Sequence, residues 1–271
     1  MSRPALALAA CLLVVAAGCN AGGAPTVTPA PVPEEGPATG SELAPGVSRS
    51  EVTDPLRLAT AHSRRLANSS FRRVTTLTVR QGGDTLRSSV ETVRADAATG
   101  RYSVSVSQNA STGYPVQPFA ARVQLWRNGS VRLVRFVQTD TVNYRVERDP
   151  SGPVPVEMLS DGGRTAAVLE VFALEVLGRG EDGYRFRSTR LLAPSGLDPP
   201  AALENPRNAS LTVVITEQGL VRRYTVRYEA TLDGEPVVVS RSSRITGVGA
   251  TAVGPPGWAE AAARNGSREP A

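Results

Sequence analysis

The chain has 271 residues, 41% of them apolar and 20% charged, which is long enough to bury a core and too apolar overall for a disordered protein. Its 30 basic side chains are all arginine, its one histidine is His62, and its two cysteines, Cys11 and Cys19, fall within the first 19 residues. The absence of lysine excludes a phosphate-loop lysine, a Schiff-base lysine and a lysine general base. A Cys/His zinc site cannot be assembled in the folded body.

The sequence pI near 9.7 overstates the charge. The imbalance is 30 basic against 25 acidic groups, and without lysine little titrates between neutrality and the tyrosines, so a small surplus lifts the pI far. The arginines are spread along strand-like segments (Arg132, Arg145, Arg185, Arg227) rather than gathered in a run. No nucleic-acid motif accompanies them, and they suit solvated sheet faces.

In chain order, residues 1–19 (MSRPALALAACLLVVAAGC) place Arg3 before an apolar run from Ala5 to Ala17 and small residues before Cys19. This is the order of a secretory signal, and the run is too short to span a membrane. Ala16-Ala17-Gly18-Cys19 resembles a lipobox, with Ala16 where leucine is usual, which makes Cys19 the expected lipidation site. The alternative is cleavage by ordinary signal peptidase, with Cys19 incidental. Residues 20–50, rich in Pro, Gly, Ala, Thr and Ser, read as a disordered tether that holds a folded domain off the membrane. Five of the eight asparagines (Asn68, Asn109, Asn128, Asn208 and Asn265) head N-x-S triplets and are candidate glycosylation acceptors.

The domain is expected over 51–263, followed by a disordered tail at 264–271. A helix to about Asn68 is predicted behind a Thr53 or Asp54 cap with Pro55 in its first turn, burying Leu56, Ala59, His62 and Leu66. His62 reads as a packed, hydrogen-bonded residue rather than a catalyst. From Phe71 the period becomes two. Strands are predicted near 71–80, 85–95, 102–107, 121–127, 130–137, 141–147, 183–192, 211–215, 224–232 and 235–246. Gln81-Gly82-Gly83-Asp84, Arg127-Asn128-Gly129 and Asp233-Gly234 read as hairpin turns. About ten hairpin-linked strands make a sheet that must curl. Residues 164–177, apolar on nearly every side, are predicted as a buried helix covering the dry face. A short helix is predicted near 256–264, anchored by Trp258. The fold class is therefore α+β, a large curled antiparallel sheet covered by two or three helices.

This arrangement of leader, tether, opening helix, long meander and inserted apolar helix resembles the LolA-like half-barrel of periplasmic lipoprotein carriers and of LppX/LprG-type mycobacterial lipoproteins. That resemblance implies an apolar cavity between sheet and helices. Several strings also resemble haloarchaeal surface lipoproteins with no assigned activity: Thr53-Asp54-Pro55 with Ala61-His62, Leu66–Phe71, Gly219-Leu220-Val221 leading to Tyr224 and Tyr228, and Gly254–Trp258. The chain departs from that group in being mildly basic and in lacking a twin-arginine leader.

The expected function is a lipid-anchored, outward-facing cell-surface protein, monomeric and not an enzyme, that binds a lipid or other apolar ligand between sheet and helix. Val168, Phe172, Val226 and Tyr228 are its candidate lining. The alternative is an envelope interaction protein with a solid core. No catalytic residue, cofactor or metal is expected, and nucleic acid is excluded as a partner. There is no G-x-S-x-G elbow, no H-E-x-x-H and no nucleotide fingerprint. Glu170 and Glu175, five apart on the predicted helix, make a poor carboxylate dyad.

Overall fold

A computed structural model describes residues 42–118, 120–148, 154–197, 199–265 and 267–268. The leader, Cys19 and the tether up to residue 41 lie outside the described residues. Helix α1 (Pro55–Leu66) leads into a first meander of β1 (Ser70–Gln81), β2 (Asp84–Asp96), β3 (Arg101–Ala110), β4 (Arg122–Asn128), β5 (Val131–Val137) and β6 (Val142–Arg148). Two short helices, α2 (Val156–Ser160) and α3 (Gly162–Glu170), then lead into a second meander. Its strands are β7 (Phe172–Gly180), β8 (Gly183–Leu191), β9 (Glu204–Ile215), β10 (Val221–Leu232) and β11 (Glu235–Thr246). Helix α4 (Ala259–Asn265) and the two-residue strand β12 (Ser267–Arg268) follow.

All eleven long strands pair antiparallel in one open, curled sheet, ordered β6-β5-β4-β3-β2-β1-β11-β10-β9-β8-β7. β12 adds itself parallel to β6. The two meanders meet at the β1–β11 pair, with Thr75 opposite Ser243 and Leu77 opposite Arg241. This topology explains the position of α2 and α3. The chain leaves β6 on one flank and re-enters at β7 on the opposite edge, so it must cross the sheet, and its helices come to lie over the central seam. The hairpins are built as their residues predict: Gly82, Gly83, Asp233 and Gly234 all have positive φ.

The apolar faces of β9, β10 and β11 pack with α3, β7 and the 42–52 segment into the main core, which includes Phe172, Phe186, Leu211, Val226 and Val239. A second cluster joins Leu66, Phe71, Val93, Tyr102, Leu159 and Ile245. A third lies under α4, where Trp126, Leu133 and Ala262 are buried and Trp258 packs near Tyr144, ring centroids 6.4 Å apart.

Four expectations are corrected. The helix predicted over 164–177 ends at Glu170, and Phe172–Gly180 is an edge strand. There Phe172 and Leu174 face the core while Glu175 points outward, opposite Arg187. Apolar residues on the outer face (Ala173, Leu177) hid the two-residue period. On α1, Leu58 rather than Leu56 takes the buried position, and Leu56 is 77% exposed. The folded body also begins upstream of residue 51, because Ala44, Val47 and Val52 are buried in the main core. Finally, the body runs past 263, through α4 to β12.

The upstream boundary rests on Gly46. Its φ is +73°, its carbonyl accepts from the N–H groups of Thr53 and Asp54, and its N–H donates to Glu42 Oε1 at 2.6 Å. A Cβ there would sit 2.2 Å from the Asp54 carbonyl oxygen. We expect Gly46→Ala to destabilise the protein by about 2 kcal/mol or more in chemical unfolding. Gly234→Ala, also at positive φ but with nothing within 4 Å of its Cβ, should cost only about 1 kcal/mol. Equal costs would mean that the 42–54 clasp is not part of the folded body.

Candidate functional site

On β1, Phe71, Arg73, Thr75, Leu77 and Val79 share the parity of the covered face, and Phe71 and Val79 belong to different apolar clusters. Between them Arg73 and Thr75 are polar and only Leu77 is apolar. The register extends this break across neighbouring strands: Thr75 lies opposite Glu91 and Ser243, and Leu77 opposite Ser89 and Arg241. Tyr224 and Val226 of β10 continue the two rows beyond β11. A polar seam thus crosses the middle of the covered face, under the α2–α3 turn.

Arg73 is the hub of this seam. It is 5% exposed, and burial of a guanidinium is tolerated only when it is paired and hydrogen-bonded. Its Nε donates to the Leu159 carbonyl at 3.0 Å. One terminal nitrogen donates to Thr75 Oγ1 at 2.9 Å and to Asp161 Oδ2 at 3.4 Å. The other pairs with the Glu91 carboxylate. The guanidinium therefore ties two sheet strands to the end of α2 and to the α2–α3 turn. Asp161, the turn residue, adopts left-handed backbone (φ +59°), which aspartate tolerates better than most residues. Burial pushes its carboxyl above the usual carboxylate range, against the pull of the Arg73 and Arg164 charges.

His62 fixes the same helices from behind. Its Nε2 lies 3.3 Å from the Ser160 carbonyl, and its Nδ1 accepts from the Val221 N–H at 3.2 Å. These partners select the neutral Nε2–H tautomer and occupy both ring nitrogens. Burial and the Arg73 charge lower its pKa to about 4, against the Ser160 hydrogen bond. Gly162, the first residue of α3, lets that helix approach: a Cβ there would stand 2.8 Å from Ser63 Oγ and 3.1 Å from His62 Cδ2. His62 is the packed residue its helix face predicted, and it has no free nitrogen to act as a base.

Between the helical turn and the seam lies a cleft of about 340 Å³, whose lining includes Arg73, Glu91, Asp161, Arg164, Arg241 and Met158. Among the described residues the Arg241 side chain makes no hydrogen bond or ion pair, and its charge acts on the Asp161 carboxyl through space. The Tyr224 hydroxyl is buried and has no partner there either. It sits in the field of Arg241, Asp161, Arg73 and Arg164, and burial, with Asp161, pushes its pKa up. Sequence reasoning missed this cleft. The signal was the parity itself, since arginine and hydroxyl residues stand at inward positions of β1, β2 and β11.

The structure brings the four residues predicted to line an apolar cavity together as solid packing. Val168, Phe172, Val226 and Tyr228 all belong to the main core, none more than 4% exposed. The five sequon asparagines are all exposed, and Asn208 donates to Glu229 Oε2 at 2.9 Å. Glu170 ends α3 and Glu175 lies on β7, where both of its oxygens accept from Arg187.

The depressed His62 pKa has a definite sign. The folded state keeps His62 neutral while the unfolded chain protonates near 6.5, so its stabilisation is complete above pH 6.5 and is lost as pH falls through about 4. The loss is on the order of 3 kcal/mol. Asp161, raised in the folded state, acts oppositely, because acidification into the carboxylate range favours its folded, protonated form. Urea unfolding at pH 7 and pH 4.5 should show a clear drop for the native protein and a much flatter response for His62→Gln. Parallel pH profiles would contradict this assignment.

No family model matches the chain, and no curated protein matches it. Several solved structures are similar at a distance, two of them as follows. A DUF1329-family protein from Desulfovibrio piger aligns over 78% of this chain and 99% of its own, at 13% identity and a TM-score of 0.27. A LolA-superfamily protein from Nitrosomonas europaea aligns over 73% of this chain and 93% of its own, at 7% identity and a TM-score of 0.26.

Proposed function

We propose that this chain is a lipid-anchored, outward-facing surface protein whose folded body is a binding module rather than an enzyme. The anchor is the acylated Cys19, and the segment from there to residue 41 is the tether. The leader pattern supports secretion, and the exposure of all five sequon asparagines is compatible with a glycosylated outer surface. His62, with both ring nitrogens engaged, supports the non-catalytic reading.

The observation that carries the binding role is the polar cleft on the covered face. A sheet face that serves only as core is filled by apolar side chains. This one leaves about 340 Å³ lined by Arg73, Glu91, Asp161, Arg164 and Arg241. That volume lies within the range of small-molecule sites. On this reading the ligand seats under the α2–α3 turn, with Leu77 and Met158 as the apolar part of the lining, not among Val168, Phe172, Val226 and Tyr228. Their solid packing favours the second reading, an envelope interaction protein without a ligand.

Native mass spectrometry of the protein extracted from cell membranes separates the two. The expected result is a mature chain beginning at Cys19, carrying acyl groups, with a discrete non-covalent adduct that passes into organic solvent. An apo mass that stays unchanged after incubation with a total lipid extract would remove the binding role. A mature chain without acyl groups would remove the anchor.

A further inference from the structure

The outer face of the sheet carries a row of arginines that takes no part in the cleft. Successive side chains of a strand point to opposite faces, so Arg72 of β1 projects away from the covered face to which Arg73 belongs, and it is exposed. Arg94 of β2 stands directly opposite it. Val74, the next outward residue of β1, stands opposite Arg244 of β11, which is itself directly opposite Arg223 of β10. Beyond Val214 of β9 comes Arg185 of β8. Five guanidinium groups thus cross six adjacent strands, a width of roughly 24 Å at the usual strand spacing.

Like charges directly opposite one another destabilise a sheet, and this row has two such pairs, Arg72 with Arg94 and Arg223 with Arg244. Further along the same face arginine is neutralised across the strands, Arg187 by Glu175 and Arg207 by Glu229. Within the row Arg223 has only Asp182, 3.9 Å away in the β7–β8 turn, and Asp96, further along β2, stands opposite Arg101. Arg72, Arg94, Arg185 and Arg244 make no side-chain hydrogen bond or ion pair among the described residues. The face therefore keeps these positive charges in a line, with a self-repulsion that an anionic partner would remove.

A second observation gives the chemistry of that partner. The adjoining row is hydroxylic, running from Thr76 through Ser242 and Thr225 to Thr212. At its β8–β10 end a groove of about 360 Å³ is lined by Arg185, Arg223, Thr212, Thr225 and Leu177, and Leu177 is 53% exposed. Two guanidinium forks, two hydroxyls and one apolar side chain match a sugar ring that bears a carboxylate or sulfate group. The row runs across the strands, and so around the curl of the sheet, a path that a linear chain can follow and a flat bilayer cannot. No aromatic side chain stands in the row for a nucleic-acid base to stack on.

We infer that this row docks a linear acidic polysaccharide, whose carboxylate or sulfate groups meet the arginines and one of whose rings seats in the groove. The site lies on the opposite face from the cleft and does not depend on it.

Binding of the purified protein should be measured calorimetrically with polygalacturonate, dextran sulfate, neutral dextran, polyglutamate and phosphatidylglycerol vesicles. At least one of the two acidic polysaccharides should bind saturably, with an affinity that falls as salt is raised, and neutral dextran should not bind. The double substitution Arg72→Gln with Arg244→Gln should weaken that binding about tenfold or more. It should leave the Tm equal or higher, because each change ends a like-charge pair. Thr225→Val should weaken the binding severalfold, whereas Arg187→Gln, on the same face but already paired with Glu175, should leave it nearly unchanged. Absence of saturable binding by both acidic polysaccharides, or binding indifferent to the double substitution, overturns the inference. So does tighter binding of polyglutamate or of the vesicles, which would make an acidic protein segment or a membrane the occupant. The mass-spectrometric adduct expected for the cleft should persist in the double variant, so the two readings fail separately.

Discussion

Arg73 is the constraint on which the covered face depends. Its guanidinium is buried between two apolar clusters, so every partner it has must be held in place: the Glu91 carboxylate, the Thr75 hydroxyl, the Leu159 carbonyl and Asp161. Removing one side of a buried charge network typically costs about 3–5 kcal/mol, although replacing a whole network by apolar residues is often neutral. The network therefore acts as a locator more than as a source of stability. The crossover from β6 to β7 could rest anywhere along an apolar face, since hydrophobic contact has no direction. Directed hydrogen bonds fix it over the β1–β11 seam, and His62 and Gly162 set how closely α1 and α3 approach.

That locator also determines what the cleft can do. The α2–α3 turn is held down by Arg73, while the Arg241 side chain, further along the same face, makes no hydrogen bond among the described residues. A region packed with side chains and a region under an open cleft are here adjacent on one sheet. The main core is filled by Val168, Phe172, Val226 and Tyr228 with their neighbours, and the open volume sits over the polar seam.

Much of the architecture was legible from the sequence because antiparallel hairpins are local. Alternation in Tyr102–Val106 and Tyr224–Leu232, with glycine at the turns, gives strands and their pairing order without long-range information. The 164–177 segment failed because period two is visible only when the outward residues are polar, and Ala173 and Leu177 on β7 are not. Residues 42–50 failed for a different reason. Their Pro, Gly and Ser content is that of a linker, and only the close approach of Gly46 to Asp54 shows that they are packed. The site was illegible as a site, because Arg73 and Arg241 become neighbours only through the β1–β11 pairing. In one strand each looks like an ordinary solvated arginine.

Hydrogen exchange on Arg73→Leu compared with the native protein tests whether the guanidinium anchors the crossover. If the guanidinium anchors the crossover, residues 156–170 and the facing side of α1 lose most of their protection, while β8–β10 keep theirs. Unchanged protection over 156–170 in a folded Arg73→Leu protein would show that apolar packing alone places the crossover and that Arg73 does not anchor it.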